Sequence, residues 1–569
     1  MKKKQNSDFS RRDFLGLAGV ATLATVGLSR ESKSDVPSLE SKAFKTQKHT
    51  SDVLVIGGGV AGIFAATKAH DNGANVMLVV KGGLGTSGQT PFAKGVFSFD
   101  ETEAKMSLDA FTKQVSLSAL DTNNATYTRQ MAQHSKARVE ELRSWGFFDQ
   151  ALCRDPLTHP IKERDIPVIE RIMITHLIKE EGKIAGAMGF SVDEPHIHIF
   201  HAKSVILCTG AGGFKPNGFP ICDLTHDGSI MAYNIGAKIT GKEWNDGHVS
   251  SASNPAATFD GWHGMFERTP STTGVNIRHD LGVELNYQAY TNGPPVSMGP
   301  PKEGVKFASN GPFRPSAFSD KHRMPPKDGK KEHKGPPPGM DGSNNIGGAS
   351  AGLSIHKSEG LVPINDKCES TINGLYAAGD ALGSYMAGAI YTQIGSSMAG
   401  SCVQGAIAGE AAAKYSQDLK TPTIPQSKIA KIEEEILAPL KRKSGYSPAW
   451  VTQTLQGVMI PNFVLYIKKD AMMQAALAYV EELRDHHTPM LKATTLHELR
   501  LAHETSNMII SAQMKLQASL MRTESRCSHY RLDYPNMDRD NWQAWINIYK
   551  GEDGTMKFEK QPFGTWAKS

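Results

Sequence analysis

The feature that most constrains the fold is an apolar run near residue 50 followed by three glycines at fixed spacing. Residues 51–56 end in a β-branched apolar stretch typical of a buried parallel strand. Gly57, Gly59 and Gly62 follow in the spacing G-x-G-x-x-G, and an Ala-rich helical stretch continues to about Asn72. The first glycine permits a tight turn, the second lets backbone approach a pyrophosphate, and the third packs helix on strand. The pattern therefore predicts a Rossmann-like α/β domain that binds a dinucleotide, and a purely structural glycine-rich turn is the alternative.

A second strand is predicted over residues 74–80, and the residue at its end bears on the type of dinucleotide. In many Rossmann units an acidic side chain at this position holds a ribose hydroxyl. Here Val80 is followed by Lys81. This departure weakens a nicotinamide interpretation and favours flavoproteins that hold the ribose in another way.

Two later segments extend the same pattern. Residues 204–210 form a buried strand that ends in Thr209 and Gly210, and residues 374–380 form another that ends in Asp380. Asp380 can accept a hydrogen bond from a ribityl hydroxyl, and the helix predicted from about Ser396 can direct its N-terminus at a flavin ring. The three segments in this order favour a flavin dinucleotide.

Charge and cysteine content exclude several other classes of protein. The net charge of the 569 residues is +5, and all of it lies in residues 1–50, which hold ten Lys/Arg and five Asp/Glu. The remainder is balanced, so the sequence predicts no nucleic-acid partner. The six cysteines lie far apart without a C-x-x-C motif, which argues against covalent haem, a zinc ribbon or an iron–sulfur cluster in the chain. We predict no metal site.

The N-terminus resembles an export signal. Arg11 and Arg12 precede residues 16–28, an uncharged and mildly apolar run too short to span a bilayer as a stable helix. This arrangement resembles the twin-arginine signal, which predicts export to the periplasm, with membrane contact only through the signal or a partner. A chance Arg-Arg pair before an amphipathic helix is the alternative. Residues 30–50 are polar and are predicted to be a disordered leader or linker.

Taken together, the motifs resemble the flavoprotein family of fumarate reductase, succinate dehydrogenase, L-aspartate oxidase and adenylylsulfate reductase. Residues 225–228 (T-H-D-G) resemble the family's T-x-D-G turn, and residues 524–535 (ESRCSHYRLDYP) resemble its E-S-R-G-x-H-x-R-x-D-Y-P tail, with Trp542 beyond. The resemblance implies an α/β fold with a discontinuous Rossmann-like FAD-binding domain, an inserted capping domain and a C-terminal helical domain. We predict that the signal and linker cover residues 1–45 and that the FAD-binding domain covers residues 50–245 and 346–422. The capping insertion is predicted at 246–345, the helical domain at 426–525 and the C-terminal tail at 526–569.

The resemblance also implies how FAD is held. Residues 87–95 resemble the S-H-T-x-x-A-Q-G loop, whose histidine bonds covalently to the flavin in respiratory members, but Gln89 occupies that position here. We therefore expect non-covalent FAD. The predicted cofactor-binding residues are Gly57, Gly59, Gly62, Lys81, Ser87, Gln89, Thr90, Ala93, Gly95, Thr209, Gly210, Asp227, Asp380, Ser396 and Ser397.

The sequence departs from the family pattern at positions that are expected to bind the substrate. Residues 243–250 resemble E-F-x-Q-x-H-P-T, so His248 and Ser250 are predicted to hold a substrate carboxylate. In the family segment H-G-A-N-R-L-G-x-N-S a histidine and an arginine grip a dicarboxylate, whereas Ala387 and Gln393 stand in those places here. The predicted catalytic residues are His248, Ser250, Tyr391 and Gln393.

The insertion at residues 251–345 is rich in Pro, Gly and Lys from 293 to 339 and is predicted to be irregular loop, either a lid or a surface insertion. Its candidate proton donors are His263, Arg268, Arg314, His322 and Arg323.

The leading functional hypothesis is a periplasmic FAD reductase of an activated carbon–carbon double bond, with a substrate other than fumarate. Electrons would come from a separate cytochrome or iron–sulfur protein. One alternative is a flavin dehydrogenase or oxidase that works in the oxidative direction. A second is sulfur chemistry like that of adenylylsulfate reductase, which export argues against because its nucleotide substrate is cytoplasmic. A third is a non-catalytic flavin electron-transfer subunit.

Overall fold

A computed structural model gives the architecture of most of the chain. The residues it describes are 44–86, 88–92, 96–149, 154–214, 224–245, 250–251, 345–346, 358–389, 395–460, 464–465 and 467–568.

Strands lie in both halves of the described chain. They are β1 (Lys45–Ile56), β2 (Val76–Val79), β3 (Val168–Ile169), β4 (Ile172–Glu180), β5 (Lys183–Ser191), β6 (His196–Leu207), β7 (Ile239–Thr240), β8 (Ser250–Ser251), β9 (Asn345–Ile346), β10 (Gly360–Leu361), β11 (Leu375–Ala377), β12 (Ile467–Lys468), β13 (Tyr530–Arg531), β14 (Ala544–Lys550) and β15 (Met556–Pro562).

The α-helices concentrate after the first strands and again in the last third of the chain. They are α1 (Val60–Asp71), α2 (Glu101–Ala104), α3 (Leu108–Ser118), α4 (Ala125–Ser144), α5 (Arg154–Glu163), α6 (Asp227–Asn234), α7 (Ser396–Ser416), α8 (Gln426–Lys441), α9 (Pro448–Met459), α10 (Asp470–Glu482) and α11 (Leu496–Met521). Among the described residues, no helix has both the length and the apolar character needed to cross a bilayer.

The main sheet is the platform for the site. Its strand order is β3-β2-β1-β6-β5-β4, and β11 also pairs with β6. The strands β1, β2, β3, β6 and β11 are mutually parallel, whereas β4 and β5 form antiparallel pairs. The carboxyl ends of β1, β2, β6 and β11 therefore meet at one edge, where open α/β sheets bind ligands.

The first strand begins earlier than the sequence predicts. Residues 45–50, expected to be disordered leader, are the first half of β1 and pair in parallel with residues 196–201 of β6. Their side chains are mostly exposed, which is why their polarity suggested a linker. The prediction was wrong because the long partner strand β6 satisfies their backbone groups whatever the side chains are.

Helices α1 and α7 cover one face of the main sheet and approach each other closely. A Cβ at Gly405 would lie 2.3 Å from the Ala61 carbonyl oxygen, and one at Gly409 would lie 2.4 Å from that of Ala65. The two glycines thus let the helix after β11 pack on the helix after β1. This contact brings the N-termini of both helices to the same edge of the sheet.

The C-terminal tail returns to the first half of the chain, which the sequence did not predict. β14 pairs with β15 and with β7, and β10 also pairs with β7, so four strands form a second sheet. This sheet places the residues before His248 beside the C-terminal tail.

Helices α8 to α11 form the helical domain that was predicted over residues 426–525. Ile429, Ile432 and Ile436 are buried along α8. In α10 the buried face runs through Met473 and Val480, whereas Met472 is 41% exposed.

Candidate functional site

The turn between β1 and α1 shows why the three glycines are needed. Gly57 has φ +115°, and a Cβ there would lie 2.2 Å from the Cys208 carbonyl oxygen. A Cβ at Gly62 would lie 1.9 Å from the Gly57 carbonyl oxygen. Only Gly59 faces open space, apart from Thr90 Oγ1 at 3.3 Å from its hypothetical Cβ. The first and third glycines thus close the turn against β6, and the second leaves room for a phosphate.

Thr90 supports the same turn. Its hydroxyl accepts a hydrogen bond from the Val60 backbone N–H at 3.1 Å, at the start of α1. Gly59, the N-cap of α1, has no side chain and adjoins open space, so the positive end of α1 can approach a phosphate there.

Lys81, at the end of β2, lies in a network of acids. Its Nζ donates to Asp227 Oδ2 at 2.8 Å, Glu504 Oε1 at 2.8 Å and Thr225 Oγ1 at 2.9 Å. Burial lowers the pKa of Lys81, but the carboxylates of Asp227 and Glu504 outweigh it and raise that pKa above its ordinary value. Lys81 therefore stays charged and fixes the T-x-D-G turn against β2.

Two residues of this network were missed by sequence reasoning. Glu504 of α11 pairs with Lys81, and Asn507 donates from Nδ2 to Asp227 Oδ1 at 2.8 Å. Both lie in α11, within the helical domain predicted over residues 426–525, where the sequence predicted no site residue. The one sequence feature that could have identified them is the presence of polar residues on an otherwise buried helix face.

The end of β6 meets the T-x-D-G turn directly. A Cβ at Gly228 would lie 1.9 Å from Thr209 Oγ1, so the glycine of this turn accommodates the threonine. Thr209 Oγ1 is buried and has no hydrogen-bond partner among the described residues. An unsatisfied buried hydroxyl costs about 1–3 kcal/mol, so its persistence indicates a ligand.

A second hydroxyl without a partner lies at the start of α7. Ser397 Oγ is buried and unsatisfied among the described residues, and the N-cap Gly395 has φ +81° and no side-chain capping bond. Asp380 lies in the turn that follows β11, where the Gly379 N–H donates to Gln404 Oε1 at 3.2 Å. The glycine cradle and the two unsatisfied hydroxyls at one sheet edge fit a bound dinucleotide.

A buried ionic cluster adjoins this edge. It consists of His226, Lys242, Glu359, Ser511 and Lys515, and the side chains of His226, Lys242, Glu359 and Lys515 are at most 3% exposed. Lys242 pairs with Glu359 Oε1, and Lys515 Nζ lies 2.9 Å from Glu359 Oε2. Burial, together with the charge of Lys242, lowers the pKa of His226 to about 4. The sequence did not predict this cluster, because its members lie far apart in the chain.

A second buried cluster holds the segment that precedes His248. Arg522 donates to Glu243 Oε1 at 2.9 Å and to Glu524 Oε1 at 2.9 Å, and Arg526 also donates to Glu524. The Arg522 guanidinium lies between two indole rings, 4.6 Å from the Trp244 centroid and 4.9 Å from that of Trp542. The E-S-R tail thus fixes the start of the predicted substrate segment.

Beside Arg522, a buried amine contacts the same segment. Lys468 Nζ donates to the Glu243 carbonyl and lies 2.7 Å from His529 Nδ1. Burial lowers the pKa of both Lys468 and His529 well below their ordinary ranges. Burial therefore disfavours the charged form of both groups.

Several predicted site residues lie outside the described residues. These are the cofactor residues Ser87, Ala93 and Gly95 and the catalytic residues His248, Tyr391 and Gln393. For Ser250 only the backbone is described, in β8, which pairs with β9. The roles of these residues remain predictions.

The remaining predicted cofactor residues converge on the sheet edge. Backbone at Gly57 touches Cys208 beside Thr209, Lys81 binds Asp227, and the Phe97 N–H donates to the Gly395 carbonyl at 3.1 Å. Gly59, Gly62, Gln89, Thr90, Gly210, Asp380, Ser396 and Ser397 lie on the turns and helix ends of these same elements.

Ala387, which stands where the family pattern has a substrate-binding histidine, lies among the described residues. Ala387 is buried, and its neighbours are fixed: the Met386 carbonyl accepts from Thr128 Oγ1 at 2.6 Å and the Gly388 carbonyl from Ser358 Oγ at 2.6 Å. The position where the family has a histidine therefore carries no ionisable side chain. Within the described ranges, no group of His, Cys, Asp and Glu residues has a metal-binding arrangement.

Comparisons with known proteins support FAD as the cofactor of this chain. Residues 52–153 match the family model of the FAD binding domain, and residues 452–566 match that of the fumarate reductase flavoprotein C-terminus. An uncharacterized FAD-dependent oxidoreductase of Methanocaldococcus jannaschii is 26% identical over 91% of this chain and 99% of its own length. One of the subunits of the CoM/CoB fumarate reductase of Methanothermobacter marburgensis is 24% identical, with 88% of this chain and 97% of the relative covered. Together these matches support an FAD-dependent oxidoreductase that is similar to the fumarate reductase and succinate dehydrogenase flavoproteins.

Solved structures show the fold of this flavoprotein. Sdh1 of Mycobacterium smegmatis with UQ1 superposes with a TM-score of 0.69 at 22% identity and covers 91% of this chain and 95% of that chain. Adenylylsulfate reductase of Archaeoglobus fulgidus gives 0.67 at 19% identity, with 92% and 98% covered. The predicted fold class and the predicted cofactor, FAD, are confirmed.

We expect FAD to leave this flavoprotein on denaturation. A glutamine at position 89 has no ring nitrogen that could attack a flavin methyl group. Purified protein denatured in acid and passed over a desalting column should therefore release all its flavin. On a denaturing gel, flavin fluorescence that stays with the protein band would contradict this expectation.

Proposed function

We propose that this flavoprotein reduces an activated carbon–carbon double bond in a substrate with a single carboxylate or carbonyl, and that fumarate is a poor substrate. The observation that carries the proposal is the buried Ala387, held by a fixed backbone, where a dicarboxylate would need a cationic group. In the sequence, Gln393 also replaces an arginine of the family pattern. One of the two carboxylate grips is thereby lost.

The roles proposed for this chain's residues follow from the chemistry. FAD, when bound, supplies the hydride. His248 and Ser250 bind the activating carboxylate or carbonyl and favour the negative charge that develops there. The buried cluster of Arg522, Glu243 and Glu524 holds the start of that segment. A residue of the insertion at 251–345 donates the proton.

In the test, the flavin of the holoprotein is first reduced by reduced methyl viologen under anaerobic conditions. Reoxidation is followed on a matched panel of unsaturated monocarboxylates, dicarboxylates and enones. Fast reoxidation by a monocarboxylate or enone, and slow reoxidation by fumarate, supports the proposal. Reduction of the oxidised flavin by saturated acids, amines or alcohols would favour the oxidative direction. Reoxidation by none of the panel would favour a non-catalytic electron-transfer subunit.

We propose that a separate electron-transfer protein, a cytochrome or an iron–sulfur protein, serves this flavoprotein. The cysteine spacing offers no haem or cluster motif in the chain. The similar chain of the Methanothermobacter marburgensis fumarate reductase is named as one of its subunits, which supports a complex.

We also propose export to the periplasm by the twin-arginine route. A variant with Arg11 and Arg12 both replaced by lysine should stay in the cytoplasm with its FAD, because the pair is the recognition feature before the apolar run. Fractionation followed by immunoblotting measures this. A control variant with Lys33 and Lys42 replaced by arginine keeps the pair and should be exported normally. Equal periplasmic recovery of both variants would show that the leader has another role.

A further inference from the structure

His226 combines three features that a purely structural histidine rarely shows. It is a non-glycine residue in the left-handed region, with φ 62° and ψ 14°. Its side chain is fully buried. Its Nε2 has no hydrogen-bond partner among the described residues. Strained backbone and unsatisfied buried polar atoms persist where they serve a function.

The hydrogen bonds at the other ring nitrogen fix which atom carries the proton. Lys242 Nζ donates to Ser511 Oγ at 3.0 Å, which leaves the Ser511 hydroxyl to donate to His226 Nδ1 at 2.9 Å. Lys242 Nζ, which can only donate, also lies 3.5 Å from Nδ1, and the two oxygens of Glu359, the nearer of which is 3.3 Å from Nδ1, accept from Lys242 and Lys515. Nδ1 is thus assigned as an acceptor, and the neutral ring carries its proton on Nε2.

The surroundings of the ring belong to the cofactor edge. His226 lies between Thr225 and Asp227, which bind Lys81. A Cβ at Gly212, two residues after Gly210, would lie 1.8–2.0 Å from ring atoms of His226, so the ring lies directly on this turn.

Glu359, which contacts the ring at Nδ1, lies next to the turn that holds Asp380. Glu359 is followed by Gly360, where a Cβ would lie 2.4 Å from the Ala381 carbonyl oxygen, beside Asp380. Three segments predicted to hold FAD therefore lie close to His226: Lys81 after β2 binds both residues that flank it, the turn after β6 contacts its ring, and the turn after β11 adjoins Glu359 through Gly360.

We propose that His226 is a cofactor-positioning residue whose Nε2–H donates a hydrogen bond to an acceptor atom of bound FAD. The ionic cluster on the Nδ1 side holds the ring in place and keeps the donor directed away from Glu359. The contact explains why a strained histidine occupies the second position of the T-x-D-G turn. It rests on FAD as the cofactor and is independent of the substrate proposed above.

The test separates the two ring nitrogens with two substitutions. His226→Asn keeps an amide near the position of Nδ1 and loses the group at Nε2, whereas His226→Gln places an amide N–H near Nε2. The measurement is the rate of FAD release from purified holoprotein after dilution, followed by free-flavin fluorescence. We expect release about ten-fold faster in His226→Asn and within about three-fold of wild type in His226→Gln.

A matched control is His503→Asn. His503 is a half-buried histidine whose pKa is also lowered to about 4 by desolvation, and its Nε2 already contacts the Ile436 carbonyl at 3.0 Å. This variant should lose thermal stability without faster FAD release. Release at the wild-type rate from His226→Asn, or equal acceleration in both His226 variants, would overturn the proposal. If His226→Asn does not accumulate, ten-fold faster release from His226→Gln overturns it, and release within three-fold supports it.

Discussion

Reduced holoprotein should be reoxidised by fumarate two to four orders of magnitude more slowly than by its best monocarboxylic enoate. A charge-assisted hydrogen bond contributes roughly 1.5–3 kcal/mol, and two such groups of the family pattern are replaced by Ala387 and Gln393. We expect a substrate with an uncharged far end to lose little, because the predicted catalytic residues Tyr391 and Gln393 carry a phenol and an amide. Stopped-flow reoxidation at saturating and limiting substrate gives both rate and affinity.

The substitution Gln393→Arg tests the same argument in the opposite direction. It should recover part of the affinity for fumarate and lower that for the monocarboxylate, since a guanidinium binds a carboxylate through two hydrogen bonds. Gln393→Met is the matched control: it has similar length, no charge, and should recover nothing. If wild-type turnover of fumarate equals that of the best alternative, other residues hold the second carboxylate and the pocket assignment must be abandoned.

Replacement of Arg522 by leucine should lower the free energy of unfolding by about 3–5 kcal/mol. Its guanidinium is fully buried and donates to Glu243, to Glu524 and, at 2.7 Å, to the Ala544 carbonyl. Glu524 keeps Arg526, but Glu243 loses the arginine that binds its carboxylate. A buried carboxylate without its partner costs far more than the apolar area of leucine returns. Urea unfolding followed by tryptophan fluorescence measures the change, because Trp244 and Trp542 flank Arg522.

The control for this prediction is Arg143→Leu. Arg143 and Glu140 form an ion pair with both side chains about half exposed, so its loss should cost less than about 1 kcal/mol. The double variant Arg522→Leu, Glu243→Gln should regain part of the lost stability, because the uncompensated charge is removed. A loss in Arg522→Leu no larger than in the control would show that the buried pair contributes little to folding.

The fold class and the cofactor were open to prediction because their signals are local. The strand, the glycine turn at Gly57 and the start of α1 lie within twenty residues, so spacing alone encodes the geometry. The same holds for the turn at Asp380 and for the helical periodicity of α8, where neighbours along the chain share one face. Gln89 is equally local, since one residue type decides whether a covalent link can form.

What the sequence left undetermined depends on contacts between distant segments. Lys81 was predicted to be a cofactor-binding residue, and only the tertiary structure shows its ion pair with Glu504, 423 positions away. The polar half of β1 was misread because its partner residues in β6 lie 151 positions further on, as in the pair Lys45 and His196, and satisfy its backbone. The sequence by itself therefore determined an FAD-binding α/β protein with a helical region, because those signals are periodic and local. The tertiary structure decided which charges pair in the interior and which buried donor, at His226, lacks a partner among the described residues, because burial and pairing arise only when distant segments pack together.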